Sequence, residues 1–117
     1  MATLADAPVI QGEWLPDGAH VTLCGGFQPD MREADDACLA RARVFVDCRD
    51  AALRDAGELV QAIAADAFDP SDIAADLFDL ARGERAGRRY YDQITLFKAV
   101  GAAIEDLAAA ELAYETA

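Results

Sequence analysis

The fold is decided by residues 20–47, which read HVTLCGGFQPDMREADDACLARARVFVD. The first part, His20 to Cys24, is a short run with β-branched residues that stops at a glycine pair, and this predicts a strand. The last part contains the compact apolar run 44–46, closed by Asp47, which predicts a second strand buried on both faces. Strands of that kind are typical of parallel sheets.

A helix is predicted between these two strands. Asp30 stands three residues before Glu33, the spacing at which an N-cap side chain and an N3 carboxylate satisfy each other's backbone donors. We expect this helix to run to about Arg41. A strand, a helix and a strand within about 28 residues indicate a right-handed crossover, and therefore a parallel α/β sheet.

Further helices and one more strand follow along the chain. Residues 50–66 are expected to form a helix interrupted near Gly57. Asp69, as an N-cap, with Pro70 at the first helical position, predicts another helix start. The apolar side of that helix would consist of Ile73, Leu77, Phe78 and Leu80.

A third strand is predicted from Ile94 to Phe97. The segment Ala99-Val100-Gly101 then turns into a final helix, which has an apolar stripe and a polar side. The stripe would be formed by Ile104, Leu107, Ala108 and Leu112.

Composition excludes several classes of function. The 117 residues carry 22 acidic and 10 basic side chains, a formal net charge of −12, so neither nucleic acid nor an anionic membrane is an expected partner. No apolar run approaches the roughly 20 residues that span a bilayer, and there is no signal pattern. Three cysteines without a C-x-x-C pair fit a reduced compartment. We expect one domain, residues 1–117, in the cytoplasm.

Two strand-to-helix turns, Cys24-Gly25-Gly26 and Ala99-Val100-Gly101, are the candidate ligand edge. In open α/β sheets, ligands bind outside the carboxyl ends of the strands, where small residues let a cofactor approach the backbone. Glycines after strands also occur for purely steric reasons, and the G-x-G-x-x-G fingerprint is absent.

Other polar groups carry weaker signals. The single His20 has no second histidine with which to form a metal site, and we interpret it as structural or solvated. The arginines at 82, 85, 88 and 89 could reach a phosphate, but we favour the interpretation that they complement the C-terminal end of the preceding helix. Acidic pairs such as Asp35-Asp36 are interpreted as solvated.

Specific motifs resemble the ornithine cyclodeaminase and mu-crystallin family. They lie at both ends of the chain, in the family's order and with similar spacing. The N-terminal motifs are Thr3-Leu4-Ala5, Pro8-Val9-Ile10, Gly12-Glu13-Trp14, Gly18-Ala19-His20, Gly25, Pro29-Asp30, Arg32-Glu33 and Asp35-Asp36. The later ones are Val44 to Asp47, Gly57-Glu58, Gly87-Arg88, Thr95 to Lys98, Val100-Gly101 and Glu105 to Ala110.

The resemblance implies part of a larger NAD(P)-dependent enzyme. Family members are homodimers with a central Rossmann-type domain, and this chain resembles the second half of that domain plus the helix that returns from it. The glycine-rich phosphate turn and the basic substrate-binding residues of the family are not among these 117 residues. We therefore expect half of a doubly wound parallel sheet that has little activity alone, and either the missing N-terminal portion or a second copy as partner. In the family the final helix packs against a domain that is not among these residues, so we expect self-association or a swapped arrangement to cover its apolar stripe.

The resemblance also assigns candidate cofactor-binding residues, and no catalytic or metal-binding residue. Segments that pass beside the dinucleotide in the family correspond here to Thr3, Cys24, Gly25 and Gly26. The turn near the nicotinamide end corresponds to Ala99, Val100 and Gly101, with alanine where a serine is common.

One departure from the family bears on the reaction. Ornithine cyclodeaminases carry an aspartate where this chain has Phe27, which can neither accept a proton nor orient a water. The segment 26–33 instead looks like the branch of ketimine reductases that act on cyclic imines such as Δ1-pyrroline-2-carboxylate. A fragment of such a reductase is the function we expect; a non-catalytic dimerising or ligand-binding module and an ornithine cyclodeaminase are the alternatives.

Overall fold

Four parallel strands form one sheet in the computed structural model, which describes residues 1–117. The strand order is β1-β4-β2-β3, and every neighbouring pair is parallel. The strands are β1 (His20–Leu23), β2 (Arg43–Val46), β3 (Ile73–Asp76) and β4 (Thr95–Lys98). The predicted α/β class with a partial Rossmann-type sheet is confirmed, with one strand more than the sequence patterns indicated.

Five helices connect and follow these strands. They are α1 (Asp36–Arg41), α2 (Arg49–Asp55), α3 (Gly57–Ala64), α4 (Leu77–Ala81) and α5 (Ala103–Thr116), with single 3-10 turns at Gly12–Trp14 and Pro70–Asp72. None of the helices is long and apolar enough to cross a membrane.

The hydrophobic core lies on one face of the sheet. Alternate residues such as Leu23, Val44 and Leu96 are fully buried there, and they pack with Leu39 of α1 and Leu59 of α3. The opposite face is covered less completely. It carries an apolar groove of about 460 Å³ whose lining includes Phe45, Phe97, Leu77 and Leu80.

The crossover helix begins later than predicted. Its N-cap is Asp35, whose carboxylate accepts from the Cys38 amide at 3.0 Å, and not Asp30. Glu33 cannot serve as the N3 residue of a capping box, because its carboxylate is buried and binds the backbone of Thr3 and Gly25. The contacts between distant segments override the local capping signal.

The prediction of one helix that starts at Pro70 is also wrong for the residues before Leu77. Asp69 does cap a turn, accepting from the Ser71 amide, but that turn ends at Asp72. Ile73 instead lies in register with Val44 as the first residue of β3. Helix α4 starts only at Leu77, where Asp76 and Asp79 form a capping box.

Two other predictions agree with the structure. The helix over 50–66 is interrupted at Ala56, whose backbone is extended, and Gly57 begins α3. A Cβ on Gly57 would lie 1.7 Å from the Met31 carbonyl oxygen, so only glycine permits this approach of loop and helix. The final helix α5 is present, and none of its residues is buried.

The amino terminus lies along the outer edge of β1. The Met1 amino group donates to the Thr22 carbonyl at 2.7 Å, and the Met1 carbonyl accepts from the Cys24 amide at 3.0 Å. This is the hydrogen-bond pattern of a parallel partner opposite Leu23. Met1 therefore covers one end of this edge.

Candidate functional site

The two turns predicted as a ligand edge lie side by side. Because β1 and β4 are parallel neighbours, their carboxyl ends meet at the same edge of the sheet. The Ala99 amide donates to the Leu23 carbonyl at 3.0 Å, which joins the end of β1 to the turn after β4. The segments Cys24–Gly26 and Ala99–Gly101 are thus neighbours at one edge.

Glu33 binds the first turn to the N-terminal segment. Its carboxylate accepts from the Gly25 amide at 2.8 Å, from the Thr3 amide at 2.6 Å and from the Thr3 hydroxyl at 3.0 Å. A Cβ on Gly25 would lie 1.9 Å from the Thr3 carbonyl oxygen. Burial acts to raise the pKa of Glu33, but these hydrogen bonds outweigh it and hold that pKa below its usual value.

A second buried carboxylate lies beneath Gly26. Glu58 is fully buried, and a Cβ on Gly26 would come within 2.7 Å of its carboxylate oxygens. One oxygen of Glu58 accepts from the Glu33 amide at 2.7 Å, and the other lies 3.1 Å from the Lys98 ammonium nitrogen. A continuous polar network therefore runs from Thr3 through Glu33 and Glu58 to the last residue of β4.

Asp47 fixes the second turn. This buried residue follows β2, and one of its carboxylate oxygens accepts from the Val100 and Gly101 amides, each at 2.8 Å. The other oxygen accepts from the Cys48 amide at 2.8 Å. Gly101 has a φ of +87°, the left-handed region that favours glycine, and a Cβ there would meet nothing within 4 Å. Asp47 therefore holds the turn on its inner side, and the outer side of Gly101 is open.

The surface of this edge is made of small groups. Cys24 and Gly101 are exposed, whereas the charged groups of Glu33, Asp47, Glu58 and Lys98 are buried and engaged with one another or with backbone amides. Phe27, 40% exposed, adds an apolar side chain next to the first turn. Such an arrangement can receive a flat ligand against the backbone, and it offers no free acid or base.

Sequence patterns did not indicate the four residues of this buried support, namely Glu33, Asp47, Glu58 and Lys98. Each is charged, and charged residues are expected to be exposed unless they are paired. The available signals were that Lys98 ends an apolar strand, that Glu58 adjoins Gly57, and that all four residues lie in the motifs that carry the family resemblance.

The other polar predictions have mixed outcomes. His20 lies outside the carboxyl edge, at the start of β1, and its Nδ1 is 2.8 Å from the Thr95 hydroxyl. Arg88 does not cap α4 but donates to the carbonyls of Gly18 and Ala19. Asp35 is not a solvated partner of Asp36, since it is the N-cap of α1.

Known proteins resemble the chain throughout its length. The Δ1-pyrroline-2-carboxylate reductase of Paracoccus denitrificans is 48% identical over 106 residues, which cover 91% of this chain and 34% of that protein. The ketimine reductase mu-crystallin of Rattus norvegicus is 38% identical over 114 residues, covering 97% of this chain and 34% of that protein. The chain thus spans about a third of the length of these relatives.

A solved structure agrees with the sequence comparison. The Thermococcus litoralis Δ1-pyrroline-2-carboxylate reductase, in complex with NADH and L-proline, matches with a TM-score of 0.93 and 36% identity over 97% of this chain and 35% of that one. Residues 1–117 also match the Ornithine cyclodeaminase/mu-crystallin family as a whole. The chain belongs to the ornithine cyclodeaminase/mu-crystallin family, as its motifs predicted.

Proposed function

We propose that these residues form the nicotinamide-side half of an NAD(P)H-dependent ketimine reductase that acts on a cyclic imine such as Δ1-pyrroline-2-carboxylate. The proposal rests mainly on the pairing of two small-residue turns at one sheet edge, joined by the hydrogen bond between Ala99 and Leu23. Relatives with reductase names over nearly the whole chain support the same reaction class.

The residues at the edge suit a flat cofactor ring. The outward side of Gly101 is open, Cys24 is exposed, and Ala99 has no bulky side chain to exclude a ligand. A bound nicotinamide would supply the hydride that reduces the imine carbon. This chain's contribution is to hold the two turns in place, because Glu33 and Asp47 bind their backbone amides.

Phe27 favours imine reduction over cyclodeamination. It offers no proton acceptor at the position where the related cyclodeaminases carry an aspartate, so it cannot prepare a water for attack. Reduction of a preformed imine by a correctly placed cofactor does not require that base.

The 117 residues are proposed to be inactive alone. They lack the G-x-G-x-x-G turn, and one half of a site cannot orient both reactants. Phosphate and substrate contacts would come from another polypeptide segment, and a second copy is the proposed partner for α5. The apolar residues Ile104, Leu107 and Leu112 of this helix are all more than half exposed.

NADPH and NADH oxidation should be measured with Δ1-pyrroline-2-carboxylate, first with the chain alone. We expect no turnover alone and measurable turnover after addition of the part of the Paracoccus denitrificans reductase that lies outside the aligned region. Robust activity of the isolated chain would refute the half-site proposal. No activity in any mixture would count against the reductase assignment.

A pair of variants tests the edge itself. Cys24→Phe places a bulky side chain at the exposed end of β1, and we expect it to abolish the complemented activity. Ala65→Phe adds the same ring at an exposed position at the end of α3 and should leave that activity unchanged. Equal loss in both variants would show that the carboxyl edge has no special role.

A further inference from the structure

A cavity of about 850 Å³ lies at the opposite, amino-terminal edge of the sheet. Its lining includes the first residues of β2 and β3, Arg43 and Ile73, together with the end of α1 and the loop that precedes β4. Five of the ten basic residues of this acidic chain line the cavity, and Asp72 is the only acidic residue among the lining residues. The five are Arg41, Arg43, Arg49, Arg85 and Arg89.

Two of these arginines are already engaged by the protein. Arg41 donates to the Gly12 carbonyl, and Arg49 donates to the Ile73 carbonyl at 3.3 Å and lies 3.9 Å from the Asp79 carboxylate. Their guanidinium groups therefore have internal partners.

The other three arginines have no acidic partner. Arg43, Arg85 and Arg89 are in none of the six ion pairs of the chain. Arg43 lies with its guanidinium carbon 5.4 Å from the centre of the Phe45 ring and donates through one terminal nitrogen to the Ala86 carbonyl at 3.2 Å. Its Nε atom is buried and has no hydrogen-bond partner.

The three unpaired arginines line the same cavity, and the charges of Arg85 and Arg89 act on Arg43. Burial lowers the pKa of Arg43, and the positive charges of Arg89 and Arg85 lower it further. A protein with a net charge of −12 has ample carboxylates, yet Asp72 is the one carboxylate that lines the cavity, and it forms an ion pair with none of these arginines. Like charges gathered without a counterion, beside a buried donor that lacks an acceptor, are the features of a site for an external anion.

We propose that Arg43, Arg85 and Arg89 bind an anion that carries two or more phosphoryl groups. Guanidinium groups match the oxygen geometry of phosphate through paired hydrogen bonds. A phosphate monoester carries about −1.5 to −2 charges near neutrality, so an anion with two phosphoryl groups balances three arginines. The site is separated from the candidate cofactor edge by the length of the strands, and it is independent of the proposed reductase function.

Pyrophosphate is the probe for the test, with binding to the chain measured by calorimetry and by NMR of the arginine Nε–H signals. We expect saturable binding and a shift of the Arg43 signal. The Arg85→Gln/Arg89→Gln double variant removes two exposed side chains and should weaken binding at least about tenfold.

The matched control is Arg54→Gln/Arg82→Gln, which lowers the net charge equally at two exposed arginines outside the cavity. We expect its affinity to stay within about twofold of the parent chain. Equal weakening by the two double variants, or shifts confined to the amides of Gly25, Gly26 and Gly101 at the other edge, would overturn the proposal.

Citrate at matched ionic strength distinguishes phosphoryl from carboxylate recognition. We expect it to bind at least about tenfold more weakly than pyrophosphate. Equal affinity would overturn the phosphoryl assignment, and absence of any saturable pyrophosphate binding would overturn the site.

Discussion

Glu58 and Lys98 form an ion pair in which both side chains are fully buried, with 3.1 Å between a carboxylate oxygen and the ammonium nitrogen. Neither of these two atoms has a hydrogen-bond partner, so each charge is compensated mainly by the other. The pair links α3 to the end of β4, directly beneath the candidate cofactor edge. It adds a buried electrostatic contact to the hydrogen bonds with which Glu33 and Asp47 hold the two turns.

Removal of one partner of this pair should strongly lower the free energy of unfolding. Lys98→Met leaves the Glu58 carboxylate buried without its counterion, and we expect a loss of about 3–5 kcal/mol in the free energy of unfolding, measured with urea. Arg54→Met, which breaks the exposed pair with Asp55, is the control and should change little.

The double variant Glu58→Gln/Lys98→Met separates pairing from packing. Because it removes both charges, its loss should be smaller than the sum of the single losses. Strict additivity would indicate that the two charges do not stabilise each other.

Glu33 should make the stability depend on pH in the acidic range. Its pKa is lower in the folded chain than the ordinary value of 4.5, so the unfolded chain takes up this proton first as the pH falls. Its contribution is therefore complete above that ordinary value and is lost as the pH falls towards the folded pKa. Urea unfolding at a series of pH values should show a flatter acid decline for Glu33→Gln than for the parent chain.

Glu13→Gln is the matched control for this titration, since Glu13 is exposed and is in none of the ion pairs or side-chain hydrogen bonds. Its pH profile should follow that of the parent chain. If Glu33→Gln keeps the full acid decline, other carboxylates, such as Asp35 with its similarly lowered pKa, account for the decline.

Gly25 should not tolerate a methyl group. A Cβ there would lie 1.9 Å from the Thr3 carbonyl oxygen and 2.5 Å from the Glu33 carboxylate, so the backbone must move. We expect Gly25→Ala to cost about 1–3 kcal/mol or more in the free energy of unfolding. Gly87→Ala, where a Cβ meets nothing within 4 Å, is the control and should be nearly neutral. Similar losses would contradict the close approach of Thr3 and Gly25.

Helix α5 should drive association without supporting the fold of one chain. Since none of its residues is buried, deletion of residues 103–117 should leave the free energy of unfolding nearly unchanged at low concentration. Sedimentation velocity should show oligomers for the intact chain and monomers after the deletion. Leu107→Glu, a single change in the exposed stripe, should weaken association likewise. A well-folded monomer of the intact chain at all concentrations would refute this prediction.

The three free cysteines should differ sharply in reactivity. Burial, with the nearby Asp35 carboxylate, raises the pKa of Cys38 to about 12, so its thiolate is scarce at neutral pH. Cys24 is exposed, which departs from the usual burial of free cysteines. Alkylation with iodoacetamide followed by peptide mapping should modify Cys24 first and Cys38 only after unfolding. Rapid labelling of Cys38 in the native chain would contradict its burial.

Local patterns were sufficient for the sheet class but not for its full strand set. The runs ending at Gly25 and Asp47 predicted β1 and β2 because apolar strands bounded by turn residues have a clear signal. Strand β3 has four residues, two of them alanine, and it follows a strong helix start at Pro70. Only its pairing with β2 specifies it, and no window of sequence contains both strands.

The candidate edge could be located from the sequence, whereas the buried residues that support it could not. Glycines after strands are visible in the sequence, whereas the contact of Glu33 with Thr3 joins residues 30 positions apart. A buried carboxylate is identical in sequence to a solvated one, and its burial becomes evident only when the distant amides that bind it are in place.

The parallel pairing of Met1 with the edge of β1 has a practical consequence for recombinant production. Residues fused ahead of Met1 would be directed alongside Thr22, Val21 and His20, where unpaired backbone groups accept another strand. An affinity tag rich in β-branched residues would thus be recruited as an extra strand, whereas a proline-rich leader, which lacks amide donors, would stay detached. Residues that precede Met1 would therefore bear directly on how the sheet is extended beyond β1.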